Sequence, residues 1–281
     1  MQIDLDYPIN PFPRYGYGKP PHPRLYEIIK RNRKVYEEYL HLFLNYKNNF
    51  RTISHSENKN QFAEPYWENG WFFGLDSVAL YSLLCLHHPQ KYYEIGSGNS
   101  TKFARKAIND YNLSTKIVSF DPQPRSEIND LCDAIFRQPV EEVDLKIFDD
   151  LESGDILFVD NSHRIFTNSD VTVFFLDILP RLKPGVLVHI HDIFLPFDYP
   201  PFWQDRYYSE QYILAAYLLA ESSKLEIILP NAFIYYCDPE LNQIMYPLWT
   251  DLQVSEEKIS GISVREGSSF WIKITSSATH S

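Results

Sequence analysis

From Lys91 onward, short apolar runs alternate with stretches whose apolar residues recur at helical spacing. The runs KYYEIG (91–96), KIVSFD (116–121), AIFRQPV (134–140), DILFVD (155–160), GVLVHIHD (185–192), LEIILP (225–230) and SSFWIKI (268–274) predict seven strands. The segments 100–111, 126–133, 142–150, 168–181 and about 207–222 predict helices between them. Strand and helix alternating in this way signals an α/β fold whose mostly parallel sheet is covered on both faces. The last two strands are expected to form an antiparallel pair.

Upstream, RLYEIIKRNRKVYEEYLHLFLNY places Leu25, Ile28, Ile29, Val35, Tyr39, Leu40 and Phe43 near helical spacing and predicts an amphipathic helix. WFFGLDSVALYSLLCLHHP predicts a second, with Asp76 as its cap and Pro89 as its stop. Residues 1–23 are rich in proline and tyrosine, which suits an extended arm that wraps the domain or a second subunit. The expected organisation is a proline-rich arm and helical extension over residues 1–66 and one ligand-binding domain over 67–281.

Composition narrows the partners. Lys plus Arg number 26 and Asp plus Glu 37, a formal charge of −11 with no basic block, so nucleic acid is not an expected partner. No apolar run approaches the ~20 residues needed to cross a bilayer. The first residues do not read as a secretory signal, and a cytoplasmic location is expected. Cys85, Cys132 and Cys237 form no CxxC pair and read as core thiols. The aromatic share of 16% is high and points to an aromatic-rich cleft or surface.

The most informative segment is YYEIGSGNSTKFARKAI, in which an apolar strand ends at Glu94, turns through Gly96, Ser97 and Gly98, and enters a helix at Ser100 and Thr101. Glycine there lets a ligand approach the backbone. The next strand ends in Asp121, 23 residues after Gly98, where an acid can accept from both ribose hydroxyls. The loop reads GxGxxT and lacks the third glycine of the dinucleotide fingerprint. A nucleoside is expected, and hydride transfer from NAD is disfavoured.

EIGSGNST and SFDP resemble the first two motifs of the class I S-adenosylmethionine-dependent methyltransferases, and LKPGVLVHIHD resembles the segment leading through their fifth strand. The resemblance covers about residues 70–275. It implies a Rossmann-like, doubly wound seven-stranded sheet of order 3-2-1-4-5-7-6 with the last strand antiparallel. It further implies that S-adenosylmethionine is the methyl donor, that Glu94, Gly96, Ser97 and Gly98, with Thr101, line its methionine and ribose portions, that Asp121 holds the ribose hydroxyls, and that Asp160 lies beside it.

Asp160-Asn161-Ser162-His163 closes the fourth expected strand and His191-Asp192 the fifth, which brings four ionisable groups to one sheet edge. The spacing is similar to that of small-molecule O-methyltransferases that use a divalent cation, with His191 where they usually carry an acid. By that resemblance Asp160, His191 and Asp192 would hold Mg or Mn. Two alternatives stand beside the cation: His163 or His191 as a metal-free base, His163 being the expected proton acceptor, and a purely structural cluster. His189 is expected to be structural. The aromatic loop IFLPFDYPPFWQDRYY and EPYWENGWFFGLD are expected to cover the acceptor. Transfer to an oxygen of a small molecule is expected, with N-methylation or non-catalytic nucleoside binding as alternatives and self-association through the arm as a further expectation.

Overall fold

The computed structural model describes residues 7, 9–58, 60–72, 74–221, 224–254, 258–259 and 262–276. Six parallel-reading apolar runs and one returning strand build the sheet: β1 Lys91–Ile95, β2 Lys116–Phe120, β3 Ala134–Phe136, β4 Ile156–Val159, β5 Leu187–Ile190, β6 Leu225–Pro230 and β7 Phe270–Ile274. Their order is 3-2-1-4-5-7-6. β1 to β5 are parallel neighbours, and β7 runs antiparallel between β5 and β6. Strands buried on both faces are nearly all apolar, as in ILFV of β4, which is why these runs lack polar alternation.

The main helices are α1 Pro23–Lys30, α2 Arg33–Phe43, α3 Gly74–His87, α4 Asn99–Asp110 and α5 Glu210–Leu219. The single amphipathic helix expected after Pro23 is two, α1 and α2, broken at residues 31–32, and Asn32 donates its side-chain amide to Ile227 O at 2.9 Å on β6. Leu25, Ile29, Tyr36, Leu40 and Phe43 therefore belong to the same continuous core as the sheet. Asp76 does not act as a cap of α3. Its carboxylate accepts from the Ser268 and Ser269 amides at 2.9 and 2.8 Å and from the Asn231 amide at 2.7 Å, tying α3 to the start of β7.

Three expected helices are shorter than read. The span 126–133 holds one tight turn at Asn129–Leu131, and 142–150 holds tight turns at Val140–Glu142 and Leu145–Asp150. The span 168–181 is a four-residue α turn, a wider π turn over Phe174–Ile178 and a tight turn at Leu179–Arg181, where Pro180 supplies no amide for continued α winding. Between β6 and β7 lie three short helices that sequence reading left unassigned, Asn231–Cys237, Pro239–Ile244 and Tyr246–Asp251. Residues 1–6 and Pro8 of the expected arm, and residue 222 of the expected last helix, lie outside the described residues.

The described part of the arm lies on the chain's own domain. Tyr15 O accepts from Asp198 N at 3.2 Å, and Asp198 in turn accepts from the Arg14 and Tyr15 amides at 2.6 and 3.0 Å. Among the described residues no helix is long and apolar enough to cross a membrane. The three cysteines are free thiols held protonated by burial, each pushed up to about 12.

Candidate active site

The glycine loop is built at the carboxyl end of β1. Gly96 has φ +79°, and a Cβ there would stand 1.8 Å from the Asp160 carbonyl oxygen, so the close approach of β1 and β4 at their ends requires glycine. Gly98 is different: a Cβ on it would meet nothing within 4 Å, which leaves open space over the start of α4. Asp121, half-buried at the end of β2, accepts from the Ser97 amide at 2.8 Å and from the Gln123 amide at 2.8 Å. Both interactions aim its carboxylate across the loop.

Glu94 and Thr101 are bonded to one another beneath the loop. Glu94 is fully buried and accepts from Tyr92 Oη at 2.8 Å and from Thr101 Oγ1, while Thr101 Oγ1 also accepts from the Gly98 amide at 3.1 Å. Burial lifts the Glu94 carboxyl to about 7 against hydrogen bonds that lower it. The pair braces the loop from beneath. Ser97 is nearly buried, its hydroxyl 2.7 Å from that of Ser119.

β4 and β5 end side by side, Val159 opposite Ile190, so the residues that follow each strand converge. His163 and Asp192 both adopt left-handed backbone, φ +58° and +55°, which turns the chain back at the edge. The His163 ring is 3% exposed; Nδ1 lies 2.8 Å from Glu210 Oε2, and Nε2 lies 3.1 Å from Asp160 Oδ1 and 3.5 Å from Asp192 Oδ2. Burial by itself would lower the imidazole, but the hydrogen bonds to Asp160 and Glu210 and the field of Asp192 raise it well above its ordinary value. Asp160 is correspondingly held well below the carboxylate range, against its own burial, by the charges of His191 and His163 and the His163 hydrogen bond.

A charged ring with both nitrogens engaged has no lone pair to offer. His163, the expected proton acceptor, joins the ends of β4 and β5 to the start of α5 through these contacts. Its partner Glu210 was missed in the sequence reading; the one available signal was an acid opening the helix expected after the aromatic loop. The same geometry corrects the metal expectation. His163 Nε2 stands between Asp160 and Asp192, the Asp192 carboxylate takes a hydrogen bond from Ser268 Oγ at 3.1 Å, and among the described residues no group of three His, Cys, Asp or Glu side chains is disposed to hold a metal ion.

His191 is the less committed histidine. Its Nδ1 is buried without a hydrogen-bond partner, 3.9 Å from Asp76, and its Nε2 is 3.7 Å from Asp192. Burial lowers it, and the charges of Asp192, Asp160 and Asp76 outweigh that and raise it. His189 lies deeper, as expected: it stacks on Phe158 at 3.9 Å, bonds Ser269 Oγ through Nε2 at 2.7 Å, and is held neutral by burial and the neighbouring His191.

These groups line a cavity of about 100 Å³. Asp76, Asp160 and Asp192 line it beside the aromatic side chains of Trp71, Trp203 and Tyr208. The aromatic loop after β5 packs as its own cluster of Phe194, Tyr199 and Trp203, fixed by Gln211, which accepts from Phe194 N at 2.9 Å and donates to Phe197 O at 3.3 Å. Trp71 comes from the segment before α3, so both expected covers meet the site.

Residues 93–193 match the model of a family described as a methyltransferase domain. An uncharacterized protein of Archaeoglobus fulgidus is 26% identical over 166 residues, covering 50% of this chain and 73% of that one. Among solved structures, a putative O-methyltransferase from Klebsiella pneumoniae aligns with a TM-score of 0.41 at 10% identity, covering 92% of each chain. An O-methyltransferase from Bacillus cereus in complex with SAH aligns with a TM-score of 0.41 at 12% identity over 85% of this chain and 91% of that one. The segment that is similar to a methyltransferase domain runs from β1 through the end of β5 and so contains the glycine loop, Asp121 and the histidine edge.

Proposed function

We propose that this protein transfers a methyl group from S-adenosylmethionine to an oxygen of a small-molecule acceptor. The observation that carries the reading is the cavity that Asp160, His163, His191 and Asp192 line together with Trp71, Trp203 and Tyr208 at the carboxyl edge of the sheet. The open space at Gly98 supports donor binding at the loop, with Ser97 and Asp121 as the residues that would hold the methionine and ribose portions. When bound, the donor supplies an electrophilic methyl on a sulfonium.

Within that frame each residue has a task. His191 Nε2 accepts the hydroxyl proton as the acceptor oxygen bonds to the methyl carbon and the carbon–sulfur electron pair stays on sulfur, leaving a neutral thioether and a histidinium. His163 is a positioning residue: its charge offsets the repulsion of Asp160 and Asp192 and holds both strand ends in register. Trp71, Trp203 and Tyr208 exclude water from the reacting atoms. The donor set does not fit a divalent cation, and no step uses one.

Transfer to oxygen is favoured over transfer to nitrogen by the base itself. A hydroxyl must lose a proton as it attacks, whereas a neutral amine attacks through its own lone pair and would leave His191 idle. The test is transfer of an isotopically labelled methyl to a panel of phenols, alcohols and amines, with and without chelator. Label entering hydroxyl acceptors in the presence of chelator is expected. Label entering amines alone overturns the oxygen reading, and activity lost to chelator and restored by Mg or Mn overturns the metal-free one.

A further inference from the structure

Two guanidinium groups line the same cavity without a carboxylate partner. Arg125, on the loop after β2, stacks over Trp71 with 4.4 Å from Cζ to the ring centroid. Arg206, in the aromatic loop, stacks over Trp203 at 4.1 Å and stands 5.5 Å from the Tyr208 centroid. Among the described residues neither side chain makes an ion pair or a hydrogen bond, whereas Arg33, Arg51 and Arg105 each pair with an acid. The Trp203 indole N–H is likewise buried with no acceptor.

The Asp160 carboxylate feels the charge of Arg125, but no acid of the cavity forms an ion pair with either guanidinium among the described residues. Asp76 is spent on backbone amides and Asn231, Asp160 on His163, and Asp192 on His163 and Ser268. Stacking on an indole orients a guanidinium plane and leaves its N–H edge free. Two such edges, both lining one cavity, suit a planar oxyanion that accepts in bidentate fashion.

We propose that the acceptor is an anion, whose carboxylate is gripped by Arg125 and Arg206 while its hydroxyl faces His191. This rests on the methyl-transfer reading of the same site and adds the acceptor's chemical class to it. A neutral acceptor of the same shape leaves both guanidinium groups without their partner and is rejected for that reason.

The test uses two near-isosteric probes, 3-hydroxybenzoate and 3-hydroxybenzamide, titrated calorimetrically into the full chain with and without saturating SAH. The acid is expected to bind about tenfold or more tighter than the amide, the scale for hydrogen bonds to charged groups. Arg125→Gln and Arg206→Gln are each expected to remove that preference while leaving amide affinity, SAH affinity and thermal stability unchanged. Equal binding of acid and amide, or an acid preference that survives both substitutions, overturns the proposal. Absence of SAH binding would count against the methyl-transfer reading instead, and the acid–amide comparison on the unliganded chain still decides the anion site.

Discussion

Replacing His163 by glutamine removes a cation that touches Asp160, Asp192 and Glu210 together, at 3.1, 3.5 and 2.8 Å. Three carboxylates then face one another in a site whose histidine is 3% exposed, and breaking a buried ion pair by removing one partner costs about 3–5 kcal/mol. For a chain of this size that corresponds to a drop of roughly 10 °C in melting temperature. The sign of the pH dependence follows from the raised pKa of His163. Its contribution is fully present below the unfolded value of about 6.5 and is lost as pH rises through the folded value. Urea denaturation of both proteins across pH 6 to 9 should therefore show the His163 contribution as a stability gap that is largest near pH 6 and narrows as pH rises. A gap below about 1 kcal/mol near pH 6, or one that widens with pH, would refute the charged His163.

Asp121→Ala should weaken donor binding by about 1.5–3 kcal/mol, read as a roughly 10- to 150-fold rise in Kd by calorimetry, without loss of fold. His191→Gln should abolish most turnover while leaving SAH affinity intact. In the unsubstituted enzyme kcat should rise with pH as the His191 imidazolium, raised above its ordinary value by Asp192, Asp160 and Asp76 against the effect of burial, gives up its proton; a flat profile in kcat contradicts its role. Gly96→Ala places a methyl 1.8 Å from the Asp160 carbonyl at φ +79° and should cost about 2 kcal/mol or more in stability, measured by denaturant titration.

The sheet was legible because its strands are buried on both faces and read as apolar runs; β6 falls where LEIILP placed it. The strand ends were less so. β5 stops at Ile190, two residues before the expected end, since Asp192 takes a left-handed conformation that no ladder accommodates. β3 stops at Phe136, before Pro139. The helices after β6 escaped notice because Pro239 and Pro247 read as breakers, whereas each sits in a helical first turn where its missing amide costs nothing. At the site, residue types and strand-end positions brought Asp160, His163, His191 and Asp192 together correctly. Their roles were not readable, because what commits His163 is Glu210, 47 residues away in the chain, and His191 Nε2 approaches Asp192 only at 3.7 Å. Glu94 was expected at the donor by the family resemblance; in the fold its side chain accepts from Tyr92 Oη, two residues back on the same strand face.

The most direct test of the account is a calorimetric titration of the full chain with S-adenosylmethionine, SAH and NAD. The open space over Gly98 and the single acid at Asp121 predict saturable binding of the first two, lost on Asp121→Ala, and none of NAD. Tight binding of NAD with no binding of S-adenosylmethionine or SAH would contradict the account at its root.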